Sequence, residues 1–206
     1  MKFWTHSSKW VRWIFPSLVW DIKSSSKTVF LTFDDGPNDV VTPWVLEVLK
    51  AHNFKATFFC IGDNIQKNPS TYQKVLAAGH QVGNHTMNHV HGFFTPKKQY
   101  VKNLEACRDF CDSSLFRPPY GKITSGQIRL IQKDYSIVMW TTLSGDFDPK
   151  LNRQKALDFL KRATKPGAVV VFHDSLKAFE NLKVLLPTYC DFLKQKGYTS
   201  TLISTS

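Results

Sequence analysis

Residues 28–37 read TVFLTFDDGP, and this stretch decides the fold. The β-branched and aromatic run from Thr28 to Phe33 is a strand. It ends on two adjacent carboxylates, Asp34 and Asp35, followed by Gly36 and Pro37. Neighbouring side chains at a strand end point in different directions, so the two carboxylates can take different roles. One can complete a metal site of two histidines and one carboxylate with water in the open position. The other stays free to accept a proton from that water. Asp-Asp-Gly-Pro is equally good turn chemistry, in which Gly36 supplies backbone freedom and nothing catalytic follows.

Similar runs recur downstream at about 56–60, 81–84, 115–117, 136–140, 168–172 and 198–203, which predicts seven strands. Helical periods lie between them. Thr42-Pro43, Asn68-Pro69 and Thr95-Pro96 each set a capping side chain before a proline at the first helical position. Gly79 and Gly197 suit left-handed helix ends. Such alternation predicts βα units around a parallel sheet. Asp34-Asp35, Gly62-Asp63, His85, Arg117, Trp140 and His173 all fall at or just beyond the carboxyl end of a predicted strand. An open doubly wound sheet gathers only residues near its switch point. A barrel brings all of them to one pocket. The prediction is a single-domain α/β chain forming an incomplete (β/α) barrel of seven to eight units.

Composition narrows the partners. At 206 residues, 42% hydrophobic and 21% charged, the chain is a folded globule rather than a disordered one, long enough to bury a large core without staples. Cys60, Cys107, Cys111 and Cys190 contain no CxxC pair, and they read as reduced core residues. Lys and Arg number 27 against 16 Asp and Glu, a formal charge of +11. That excess suits an anionic polymer or a membrane surface. Nucleic acid is not expected, because the basic residues are scattered, as in Lys97-Lys98 and Lys161-Arg162, with no basic run or recognition motif.

Residues 1–23 read as an N-terminal extension rich in tryptophan and basic residues, ahead of one domain over 24–206. No apolar run reaches the roughly 18 residues needed to span a bilayer. The stretch Trp13 to Trp20 is broken by Pro16 and followed by no cleavage site, so it is not a secretory signal. A cytoplasmic or inner-membrane-associated location is therefore expected. The extension holds Trp4, Trp10, Trp13 and Trp20 beside Lys2, Lys9 and Arg12. These aromatics read as a lid over one end of the core; a peripheral membrane contact is the alternative use.

Three further motifs carry chemistry. HTMNH at 85–89 spaces His85 and His89 four apart, which on a helix puts both imidazoles on one face; His91 does not join them. Two prolines stiffen RPPYG at 117–121, a loop able to aim a backbone N–H at an oxyanion, and Arg117 can orient a carboxylate. His173 ends the apolar run Val170-Val171-Phe172, and Asp146 of Ser144-Gly145-Asp146-Phe147-Asp148 can hold and charge it as a general acid. Read singly, each has a plain structural use: surface histidines, a rigid connection, a hydrogen-bonded core histidine.

Taken in order, Asp-Asp, His-x3-His, Arg-Pro-Pro-Tyr-Gly, Asp-Phe and Val-Phe-His resemble the five motifs of the polysaccharide deacetylase family, the NodB homology domain of carbohydrate esterase family 4. The resemblance implies a distorted (β/α) barrel. It implies Asp34 as catalytic base, positioned by Arg117, and a divalent metal on Asp35, His85 and His89, usually Zn2+, with Co2+, Mn2+ or Ni2+ as alternatives. It also implies the Tyr120 amide as an oxyanion donor, and His173 as the acid, partnered by Asp146. Two positions depart from the family pattern. Phe147 replaces a tryptophan and loses the indole N–H, and Val171 replaces a leucine at the pocket floor. The activity implied is metal-dependent removal of N-acetyl groups from N-acetylglucosamine-containing polysaccharide, peptidoglycan or chitin-like; a monomer is expected. The alternatives are an amidohydrolase or O-acetyl esterase on another substrate, or an idle glycan- or membrane-binding relative.

Overall fold

The computed structural model describes residues 9–204; Lys2 and Trp4 lie outside them. The strands are β1 Thr28–Asp34, β2 Ala56–Cys60, β3 Gln81–Asn84, β4 Leu115–Phe116, β5 Ser136–Ile137, β6 Thr142–Leu143, β7 Val169–His173 and β8 Thr199–Ser200. The α-helices are α1 Lys9–Ile14, α2 Val41–His52, α3 Gly62–Lys67, α4 Pro69–Ala77, α5 Lys97–Arg108, α6 Ser125–Ile131, α7 Arg153–Ala163 and α8 Phe179–Gln195. A 3-10 turn, Pro119–Gly121, follows β4.

All strand pairings are parallel, in the order β5-β4-β3-β2-β1-β7-β6, with β8 against the start of β1. A purely parallel sheet has both faces covered, and β1 is buried along its whole length. Val29, Leu31 and Phe33 join the core under the helices, while Phe30 joins a separate cluster with Phe59, Val138 and Val169 inside the curl. The period of two therefore sets Thr32 and Asp34 on the inner face with Phe30.

The sheet curls without closing. Residues 19–22 cross the gap between β5 and the start of β7. The Val19 N–H donates to the Ile137 carbonyl (2.9 Å), the Met139 N–H to the Val19 carbonyl (2.7 Å), and the Ile22 N–H to the Gly167 carbonyl (2.9 Å). Leu18 and Trp20 are buried there against Tyr135, Ile137 and Met139. Trp10 and Trp13 on α1 are instead 76% and 77% exposed. No helix among the described residues is long and apolar enough to cross a membrane.

The structure departs from the sequence expectations in several places. β6 was not anticipated; two residues are too few to show a period. The run at 136–140 stops being a strand at Ile137, and that at 198–203 shortens to Thr199–Ser200. α2 begins at Val41, so Pro43 is its third residue. The Asn38 carboxamide takes the capping role, accepting from the Val40 and Val41 N–H groups. α5 begins one residue after Pro96, whereas α4 does begin on Pro69. Gly79 and Gly197 close helices with φ of 70° and 72°, as expected. The four cysteines are buried and free.

Candidate active site

Arg117 leaves β4 directly into the interior of the curl, where it is fully buried. Its Nη1 donates to Asp34 Oδ1 (2.7 Å) and to Thr32 Oγ1 (2.7 Å). Nε donates to the Val138 carbonyl (3.1 Å), Nη2 to the Met139 carbonyl (2.9 Å), and the guanidinium lies 4.1 Å from the Phe59 ring centroid. The planar fork is thus held on every side, and it fixes the Asp34 carboxylate at the end of β1.

One residue later the strand geometry breaks. Asp35 has φ 77°, a left-handed conformation, and its side chain meets His85 and His89. The Asp35 Oδ1 to Nε2 distances are 3.7 Å for His85 and 3.1 Å for His89. The two histidines do not share a helix, the geometry their spacing suggested. They sit on an irregular loop after β3, in which Thr86 and His89 also have positive φ, at 66° and 54°. Left-handed non-glycine residues cost energy and cluster at functional sites; here they replace the helical turn in bringing the imidazoles together.

Asp35, His85 and His89 offer ligand atoms that all lie within 4.8 Å of one another. His85 Nδ1 is 2.7 Å from the Arg117 carbonyl, which can only accept. Its hydrogen is therefore on Nδ1, and the Nε2 lone pair faces Asp35. Burial pushes the His85 imidazolium down to about 4, the neutral state a metal ligand needs. Burial opposes charge on Asp35, but the His89 hydrogen bond and the nearby His173, His85 and His89 hold its carboxyl well below the usual range. Two imidazoles and a carboxylate, one imidazole braced from behind, fit a divalent ion.

His173 ends β7 in register with Asp34. Its Nδ1 lies 2.7 Å from Asp146 Oδ1, and its backbone N–H donates to Asp146 Oδ2 (2.8 Å). Burial pushes the imidazolium down, but the fully buried Asp146 and the carboxylates of Asp35 and Asp34 outweigh it and raise it to about 9. The Phe147 ring stands edge-on to His173 with centroids 5.1 Å apart. Val171 is buried, in register with Thr32. Tyr120, with φ 58°, sets its ring 4.6 Å from that of His89. All ten residues singled out in the sequence thus meet at one end of the sheet.

Sequence reading missed the residues that brace them. Asp174 accepts from the Gly36 N–H (3.1 Å) and the Thr42 hydroxyl (2.5 Å). A Cβ on Gly36 would lie 2.1 Å from Asp174 Oδ2, so the loop after Asp35 demands glycine. Burial, with Asp35 and Asp34 nearby, pushes the Asp174 carboxyl up to about 8. Asn64 donates to the Asp35 carbonyl (2.7 Å), and Asn181 to the Asp146 carbonyl (2.9 Å). An aspartate beside His173 was the one visible sign; lone asparagines on helices give none.

Comparison with known proteins agrees with this arrangement. The polysaccharide deacetylase family model matches residues 21–140. A peptidoglycan-N-acetylglucosamine deacetylase of Bacillus cereus is 29% identical over 197 residues, covering 91% of each chain. A chitooligosaccharide deacetylase of Bradyrhizobium is 36% identical over 160 residues, covering 73% of this chain and 72% of that one. The chain spans 37% of the longer Listeria monocytogenes peptidoglycan-N-acetylglucosamine deacetylase PgdA, at 33% identity. The crystal structure of the Bc1960 peptidoglycan N-acetylglucosamine deacetylase superposes with a TM-score of 0.83 at 26% identity, covering 93% of this chain and 94% of that one. With the family model matched over more than half of its residues, this chain belongs to the polysaccharide deacetylase family.

Proposed function

We propose that this chain is a metal-dependent deacetylase that hydrolyses N-acetyl groups of N-acetylglucosamine-containing polysaccharide, peptidoglycan or chitin-like oligomers. The observation that carries the reading is the pairing at the ends of β1 and β7. Asp34, locked by Arg117, and His173, charged by Asp146, are register neighbours at the rim of the Asp35, His85 and His89 trio. An acceptor and a donor beside one metal site are what amide hydrolysis requires.

Asp35, His85 and His89 would hold the ion; zinc suits this donor set first, with cobalt, manganese or nickel as alternatives. When bound, the ion would supply Lewis acidity and make water more acidic. Asp34 takes the proton of the attacking water while Arg117 keeps its carboxylate aimed. The Tyr120 backbone N–H donates to the oxygen that gains charge. His173, whose Nδ1 is committed to Asp146, gives the Nε2 proton to the departing amine as the C–N bond breaks and acetate leaves. Phe147 and Val171 wall the space for the acyl group. The test is acetate release from N-acetylglucosamine oligomers and peptidoglycan fragments, lost on chelation and restored by zinc. A folded, zinc-loaded protein that releases none from any of them overturns the reading.

The acid has to be charged to donate, so activity is present below the His173 pKa and lost as pH rises through it. Asp146→Asn removes the opposing charge and leaves burial, which lowers that pKa. The alkaline limb of kcat is expected to move down by about one pH unit or more relative to wild type, since one unit is only about 1.4 kcal/mol of interaction. A bound cation lowers both limbs alike, so the difference is the readout. Coincident limbs would remove His173 from the acid role.

Separately, the exposure of Trp10, Trp13 and Ile14 on α1 supports a peripheral contact with an anionic membrane surface. Flotation with anionic liposomes should drop in the Trp10→Ser/Trp13→Ser protein; equal flotation rejects the contact.

A further inference from the structure

We infer a second glycan-binding element beyond the catalytic residues: His91, Phe94 and Tyr120 form a stacking platform for a pyranose ring further along the chain being deacetylated. The inference rests on the glycan reading above. His91 stands apart from the metal trio, yet its ring lies 5.2 Å from that of Tyr120, which in turn packs on His89. Phe94 stacks on His91 at 4.4 Å with planes 25° apart. A continuous run of rings therefore leads from one proposed metal ligand out to solvent.

The outer rings are uncovered. Phe94 is 84% exposed, Tyr120 59% and the adjoining Phe93 56%. Scattered exposed apolar residues are ordinary, but a contiguous group beside a polar site marks a binding surface. The loop that carries the group is also held rigidly. The buried Gln127 side chain donates to the carbonyls of Gly92 (2.9 Å) and Thr95 (3.2 Å) and accepts from the Thr124 N–H. The Phe94 N–H returns to the His91 carbonyl (3.1 Å). Gly92 packs so close to Lys122 that a Cβ would lie 2.1 Å from its carbonyl oxygen. A loop backbone held in this way lowers the ordering cost of binding.

The chemistry of the occupant follows from shape and continuity. A β-linked N-acetylglucosamine ring carries its substituents at the rim and presents flat C–H faces, which an aromatic plane covers while the hydroxyls stay in water. A chain with one acetamide at the trio runs over rings that begin at His89.

Phe94 is solvent-exposed, so its variants fold. Phe94→Ala should raise KM for an N-acetylglucosamine tetrasaccharide about fivefold, the equivalent of one aromatic contact, with the loss falling on KM rather than kcat. Phe94→Trp should keep the wild-type KM and show a larger fluorescence change on adding the tetrasaccharide than wild type, whose Trp140 already lies against Gly121. Unchanged KM in Phe94→Ala, or a Phe94→Trp change no larger than that of wild type, overturns the platform. The fluorescence readout needs no turnover. A response in a protein that releases no acetate keeps the platform and removes the deacetylase reading; acetate release with unchanged KM does the reverse.

Discussion

Acetate release is expected to fall by about two to four orders of magnitude in the Asp34→Asn protein, the usual contribution of a positioned general base. The amide oxygen of asparagine can still accept from Arg117 Nη1, which lies 2.7 Å from Asp34 Oδ1, so the geometry at the end of β1 survives. What disappears is the ability to take a proton from water. The change leaves Asp35, His85 and His89 in place, so zinc content should match wild type. The check is a rate assay run alongside metal analysis of the same preparation. Full activity would move the base to another residue; loss of both rate and zinc would show a collapsed site rather than a missing base.

Arg117→Met should destabilise the fold by about 3–5 kcal/mol, the cost of breaking a buried ion pair by removing one partner. Methionine fills much of the volume but donates nothing. Asp34, Thr32 and the carbonyls of Val138 and Met139 would all lose a donor inside the curl. Asp34, only 5% exposed, would be left as a buried carboxylate without its cation. At about 2–4 °C per kcal/mol for a chain of this size, the melting temperature should fall by about 6–20 °C. Arg117→Lys should not rescue it, since one ammonium cannot reach all the acceptors spread around a planar fork. Denaturant titration of the three proteins decides the matter; a loss under about 1 kcal/mol would mean that the cradle relaxes around the vacancy.

Several elements were legible because the information is local. The runs at 56–60 and 81–84 match β2 and β3 at both ends, since β-branched and aromatic residues favour a pleated, buried surface. Gly79 and Gly197 marked helix ends because only a residue tolerant of positive φ closes a helix that way. The helix starts were less legible. Thr42 looks like a cap for Pro43, but its hydroxyl is drawn inward by Asp174, 132 residues away, and Asn38 caps instead. Local propensity lost there to a buried carboxyl group in need of a hydrogen-bond partner.

By itself the sequence determined the βα alternation, the parallel sheet, and which polar side chains stand at the carboxyl ends of strands. Those properties follow from side-chain period and residue chemistry within a few positions. Tertiary structure decided what meets what. It turned Asp35 out of the strand period with a positive φ and joined His85 and His89 through a loop instead of a helix. It placed residues 19–22 across the open side of the sheet and seated Asp174 under Gly36. It also laid His91, on which Phe94 stacks, against Tyr120. Each of these joins residues whose proximity depends on how whole strands are ordered and curled, and no local pattern in a chain encodes the energy of a contact that exists only after that packing.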